Sequence, residues 1–242
     1  MSKIAGLDEK EKLESIAKNS VYAMGIGGIT IKYCSEIFRK HMLEGSVLEL
    51  GPAEGLMTER LWEKWKEDYT VVDGSDKFIH DLKEKYPNIR AYVSLFEEYK
   101  PERRFQNIIL GHVLEHVSDP IGLLKLCNQW LEEDGVILCA VPNSDSLHRQ
   151  AAVLMGLIDS VTSFSEKDYR HGHRRVYGYD SLYRDFIDAR LNIKYRGGYW
   201  LKPLADYQIE ESWSPNLIEA YLQLGERYPM IAGEIYIIAT KP

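Results

Sequence analysis

From Ser46 onward, short apolar runs alternate with longer stretches in which apolar residues recur at helical spacing. Val47–Leu50, Tyr69–Asp73, Ile89–Val93, Asn107–Gly111 and Val136–Val141 read as buried strands. Leu56–Lys66, Asp76–Tyr86 and Pro120–Leu131 read as the helices between them, the last with its proline early in the first turn. A turn at Glu132–Gly135 is expected to open the fifth strand. Strands alternating with helices need crossover connections, which build a parallel sheet covered by helices on both faces.

The two ends of the chain depart from this rhythm. Residues 8–20 predict a polar helix. Residues 30–43 predict a second, with Ile31, Cys34, Ile37, Phe38 and Met42 on one face, and GIGG at 25–28 predicts a hinge or turn between them. After Asn143 the alternation pauses, and the polar and aromatic residues 144–178 read as an insertion near the carboxyl ends of the strands. A helix over Asp180–Arg190, β-rich segments at Asn192–Trp200 and Glu234–Thr240, and a helix near Pro215–Glu226 complete the pattern.

The chain has 242 residues, 45% of them hydrophobic, which suffices for one substantial core. No repeat or linker divides it. A net charge of −7 argues against a general affinity for nucleic-acid backbone or an anionic membrane, since both need a basic surface. No apolar run reaches signal-peptide or membrane-span length, so a cytoplasmic protein is expected. Cys34, Cys127 and Cys139 are odd in number and form no CxxC pair, which predicts free buried thiols.

Chemistry enters at VLELGPAEG, Val47 to Gly55. A buried strand runs into a turn with Gly51 and Gly55 and then into a helix, an arrangement that lets backbone approach a ligand closely. The next strand ends at Asp73, where a carboxylate can reach ribose hydroxyls. A dinucleotide GxGxxG turn fails in detail, because Ala53 and Leu56 stand where glycines are needed, and no Walker lysine follows.

Glu49, Gly51, Ala53 and Gly55 resemble the first motif of class I S-adenosylmethionine methyltransferases, acidic-x-G-x-G-x-G, with Ala53 in place of the middle glycine. VVDGS, SLFEEY (94–99), GHVLEHVSDP (111–120) and LEEDGVILCAVPN (131–143) resemble the segments that follow in that family. GHVLEHVSDP is similar to the fourth-strand segment of the group that includes ubiquinone-pathway O-methyltransferases. The resemblance implies a Rossmann-like α/β fold: a seven-stranded, mostly parallel sheet with its last strand antiparallel, N-terminal helices and an insertion after strand 5. It also implies S-adenosylmethionine as cofactor and S-adenosylhomocysteine as product. Glu49, Gly51 and Gly55 would shape the methionine side, Asp73 would hold the ribose, Leu95 and Phe96 would border the adenine, and Gly111 and His112 would lie beneath the sulfonium. As a single domain, the chain would comprise a helical lid (1–44), a cofactor core (45–143), an acceptor-side insertion (144–178) and the rest of the sheet (179–242).

An oxygen acceptor usually needs a general base, and histidine is the natural one near neutral pH. His41 and His80 lie on charged helical stretches and read as surface. The insertion holds His148 and Arg149, then DYRHGHRRVY over 168–177. His148 and His173 are the proton-handling candidates. Arg149, Arg174 and Arg175 are candidates for an anionic acceptor, because arginine forks match phosphate and carboxylate oxygens. Tyr177 is a possible donor, and Lys202 can reach the pocket mouth or stay solvated. The alternative is a basic turn paired with Asp159, Glu166 and Asp168.

NSDSLHRQAAVLMG and GHRRVY resemble bacterial methyltransferases of surface-polysaccharide and sugar-modification pathways, which implies a small sugar-linked or phosphate-bearing acceptor. N-methylation of an amino sugar and cofactor binding without turnover are the alternatives. Nucleobase methylation is disfavoured, since neither D/N-P-P-Y/F nor a Pro-Cys pair is present. His112 and His116 flank Glu115, but HExxH is absent, and no metal is expected. Tyr, Trp and Leu residues within 199–224 are expected to form either core or a homodimer surface.

Overall fold

A computed structural model describes residues 9–20 and 22–242; the start of the expected first helix lies outside them. The expected fold is present. Seven strands form one sheet in the order β3-β2-β1-β4-β5-β7-β6. They are β1 (Val47–Leu50), β2 (Tyr69–Asp73), β3 (Arg90–Val93), β4 (Phe105–Gly111), β5 (Leu131–Pro142), β6 (Asn192–Tyr199) and β7 (Glu234–Thr240). β1 to β5 pair in parallel, and β7 runs antiparallel between β5 and β6. The strand order reverses at β1, with β2 on one side and β4 on the other, which opens a crevice at the carboxyl ends of these strands.

Two apolar layers explain the continuous strand runs. On β4, Ile109 faces one layer while Ile108 and Leu110 face the other. On β5, Leu138 and Ala140 alternate with Ile137, Cys139 and Val141 in the same way. A period of two, apolar in both phases, is what burial on both faces demands. One layer is covered by α2 (Gly25–Arg39), α3 (Leu56–Trp65) and α4 (Asp76–Lys85), together with α9 (Asp206–Ser212) and α10 (Pro215–Arg227). The other is covered by α5 (Pro120–Trp130) and α8 (Tyr179–Asp188). Cys34, Cys127 and Cys139 are buried and free.

Local chemistry sets the helix starts. Ser75 caps α4 by accepting from the Phe78 N–H, and Asp119 caps α5 ahead of Pro120. The GIGG turn is a correction. Gly25 to Gly28 form the first turn of α2, whose Ile26 N–H donates to Glu210 Oε1 at 2.8 Å. Gly25 has φ +55°, and a Cβ there would collide with that carboxylate. The expected turn at Glu132–Gly135 is absorbed as a register shift in β5, which pairs Leu131 with Phe105 and Val136 with Asn107. The helix α9 was not expected, because its short polar sequence carries little periodicity.

The insertion after β5 holds α6 (Leu147–Leu154) and α7 (Glu166–His171). Tyr199, Trp200 and Leu222, within the segment considered for a dimer surface, are core residues, whereas Tyr207 is exposed. Among the described residues, no helix is long and apolar enough to cross a membrane.

Candidate functional site

A cavity of about 1480 Å³ opens over the carboxyl ends of β1, β2 and β4 and extends beneath the insertion and the start of α2. Its wall includes Glu49, Gly51, Asp73, Leu95, Phe96, Gly111 and His112. Gly55 is the left-handed N-cap of α3, just behind that wall.

The β1–α3 turn needs backbone that most side chains resist. Gly51, Ala53 and Gly55 all have positive φ, at 65°, 48° and 77°. A Cβ on Gly51 would lie 3.0 Å from Val113 Cγ2 and 3.6 Å from Phe96 Cζ, and one on Gly111 would lie 3.0 Å from Met57 Cε. The absent side chains keep a cradle open on both sides of the crevice. His112 also has positive φ, at 58°, where β4 ends. Its N–H still donates to Ala140 O at 2.8 Å, so the ring turns toward Tyr199 and away from the strand direction.

Two carboxyls anchor this half of the site. Asp73 is buried, and its Oδ1 accepts the Ser75 N–H at 2.8 Å. Burial raises its pKa to about 6 despite that bond. Glu49 accepts from Thr58 Oγ1 at 2.6 Å and from Tyr69 OH at 2.8 Å, and burial raises it to about 7. Its hydrogen bonds run into the protein, so Glu49 braces the turn from behind.

The part of the cavity beneath the insertion is crowded with imidazole and carboxylate. His173 Nδ1 lies 2.9 Å from Asp168 Oδ1, and the His173 and His116 rings are 4.7 Å apart, edge to face. Glu115 lies beneath them with its carboxyl buried and raised well above the ordinary range by desolvation and by Glu234. Burial and the neighbouring imidazoles push His116 well below its ordinary value, so it is neutral at pH 7. Tyr22 roofs the cluster, its ring against His116 and His171. The Tyr22 N–H and the Ser20 hydroxyl both bond Glu54, which ties the segment before α2 to the β1–α3 turn.

The structure distributes the basic candidates of the insertion unevenly. His148 and His173 both line the cavity. His148 enters from α6, and its N–H donates to Lys202 O at 3.1 Å. Arg149 also lines the cavity, but its guanidinium donates to the carbonyls of Val161 (2.7 Å) and Ser163 and stands 3.5 Å from Asp168. Arg174 pairs with Glu9 of α1 (Glu9–Lys18) at 2.7 Å. Arg175 donates to Leu114 O at 2.7 Å, to Val117 O and to Ser118 O at 3.0 Å, clasping the loop after β4. Tyr177 OH donates to Asp185 at 2.7 Å in the core. Arg170, part of the DYRHGHRRVY run but not one of the expected binding residues, is exposed at the cavity wall, and Glu115, expected only as part of an incomplete zinc motif, is buried there. Lys202 lines the cavity paired with Asp206 at 2.6 Å. His80 is at the surface, and His41 packs on Tyr195.

Residues 30–194 match the family model described as a methyltransferase domain. A malonyl-[acyl-carrier protein] O-methyltransferase of Ilyobacter polytropus is 24% identical over 123 residues, 49% of this chain and 45% of that protein. The chain thus spans about half the length of the curated relative it matches. The plantazolicin methyltransferase BpumL, solved in complex with SAH, superposes with a TM-score of 0.62 at 14% identity, covering 98% of this chain and 92% of that one. A SAM-dependent methyltransferase of Archaeoglobus fulgidus gives 0.59 at 17% identity, covering 88% and 93%. At these identities the structural likeness speaks for the fold.

Proposed function

The chain belongs to the methyltransferase-domain family of class I S-adenosylmethionine-dependent enzymes, and from that premise we propose that it methylates an oxygen of a small polar acceptor, anionic or sugar-linked. The observation that carries the reading is the single cavity in which the glycine cradle and Asp73 adjoin a second wall of histidine, arginine and lysine. S-Adenosylmethionine fits the first half. Gly51 and Gly111 leave room that a methyl group would fill, and the buried Asp73 carboxyl offers an acceptor for ribose hydroxyls. When bound, S-adenosylmethionine would supply a methyl group already activated on a sulfonium.

The protein's own work is to align, to exclude water and to manage one proton. Tyr22, tied through its N–H to Glu54, closes the roof. Arg170 supplies positive charge at the cavity wall for an anionic acceptor, while Lys202 is held by Asp206, and Arg149, Arg174 and Arg175 hold the walls in place. His148 takes the proton from the acceptor hydroxyl. His173, fixed by Asp168, orients the acceptor oxygen.

Calorimetry with S-adenosylmethionine and S-adenosylhomocysteine tests the donor half. Asp73→Ala should weaken both about 10- to 100-fold, the loss expected for hydrogen bonds to a charged group. Absence of binding to the folded wild-type protein would remove the reading. His148→Gln should then lower kcat with cofactor affinity intact.

A further inference from the structure

Glu115, His116 and His173 each offer one ligand atom, and the three atoms lie within 4.8 Å of one another at the cavity wall. Glu115 and His116 come from the loop after β4, and His173 from the end of the insertion just past α7. Each side chain is held as a metal ligand is held. His173 Nδ1 faces Asp168 Oδ1 at 2.9 Å, so a proton on Nδ1 serves that contact and the Nε2 lone pair is left over. One nitrogen of His116 bonds the Gly172 carbonyl, which leaves the other as a lone pair. Glu115 is 2% exposed, and neither of its carboxylate oxygens accepts a hydrogen bond from another residue; Oε1 stands 3.7 Å from His112 Nδ1 and 4.0 Å from His116 Nε2, beyond hydrogen-bond reach. A buried carboxyl is ordinarily paired or bound to a metal.

We propose that Glu115, His116 and His173 form a binding site for one divalent transition-metal ion of the zinc, iron or manganese type. Two imidazoles and a carboxylate suit these ions, whereas magnesium prefers an all-oxygen shell. Three protein ligands leave coordination positions open toward the cavity, as in catalytic sites. Ligand atoms at about 2.0–2.2 Å from such an ion stand roughly 3–3.5 Å apart, so the group closes by side-chain movements of about an ångström. The exposed group of His80, Asp81 and Glu84 also has ligand spacing, but it lacks both the cavity and the buried carboxyl.

The purpose of the ion rests on the acceptor reading above; the site itself does not. An acceptor hydroxyl at an open position would have its pKa lowered and would lose its proton to His148 near neutral pH. His173 then orients the acceptor through the ion it binds.

The test uses the full chain, stripped of metal with a chelator and titrated with Zn2+. The expected result is one Zn2+ per chain, not displaced by Mg2+. Glu115→Gln and His173→Ala should each weaken it more than about 100-fold, and Asp168→Asn about 10- to 100-fold. His80→Ala should leave it unchanged. Co2+ bound to the wild-type protein should show ligand-field absorption of a site with nitrogen ligands, a readout independent of how the variants fold. No stoichiometric Zn2+, or equal affinity in Glu115→Gln and His173→Ala, overturns the site. S-Adenosylmethionine binding measured on the same samples separates the two ideas. If it persists without Zn2+ binding, only the metal site falls.

Discussion

Asp168 Oδ1 stands 2.9 Å from His173 Nδ1 while Asp168 Oδ2 accepts from the Ser165 N–H and hydroxyl, each at 2.7 Å. One carboxylate therefore closes the capping box of α7 and fixes an imidazole of the site. Burial alone would raise the Asp168 carboxyl, but the bonds from His173 and Ser165 outweigh it and hold the group well below the usual range. A depressed carboxyl stabilises the fold above its unfolded pKa, about 3.9, and that contribution is lost as pH falls below it. Asp168→Asn should cost about 1–3 kcal/mol at pH 7. The cost should shrink at pH 3. Urea melts at both pH values check this, and an equal cost at the two would show that the charge is irrelevant.

Glu49 carries the opposite sign. Its pKa is about 7 in the folded chain, raised from 4.5 by burial, so the native state binds its proton more tightly than the unfolded state. Stability then falls as pH rises from about 4.5 through 7, by an upper bound on the order of 3 kcal/mol. Asp73, raised to about 6, acts in the same direction. Wild-type protein without ligand should melt at a higher temperature at pH 5.5 than at pH 8. Glu49→Gln, which can still accept from Thr58 and Tyr69, should flatten that slope and be the more stable form at pH 8. An unchanged slope would show that Glu49 does not titrate in this range.

Ala53 sits at φ 48°, between two left-handed glycines, without their freedom. The left-handed conformation costs an L-residue about 1–2 kcal/mol, and glycine returns part of that through unfolded-state entropy. Ala53→Gly should stabilise the chain by about 0.5–1 kcal/mol in chemical denaturation. A destabilising result would mean that the alanine methyl packs usefully.

Arg175 and Arg170 separate support from recognition. Arg175→Ala removes donors from three carbonyls of the 114–118 loop and should cost about 2–3 kcal/mol in thermal or urea unfolding. Arg170→Ala, at an exposed position on the cavity wall, should leave stability within about 0.5 kcal/mol and raise KM for an anionic acceptor. Equal stability losses in both variants would contradict the division.

The sequence by itself determined the alternation of strands and helices from β1 to β5, the glycine turn after β1 and the carboxylate at the end of β2. These follow from periodicity and short spacing, which act between residues near in the chain. The glycine cradle and Asp73 were legible for that reason. The tertiary structure alone decided how partners distant in sequence meet. Gly25 begins a helix, not a hinge, because Glu210 arrives to receive the Ile26 N–H in the first turn of α2. Arg149, Arg174 and Arg175 look alike as basic residues of the insertion, yet backbone carbonyls and Glu9 occupy their guanidinium groups. His173 lies beside Glu115 and His116 because the insertion folds back over the end of β4, where the Arg174 N–H donates to Glu115 O at 2.8 Å. No periodicity encodes such a meeting, since it depends on the path of two loops through space and not on spacing along either one.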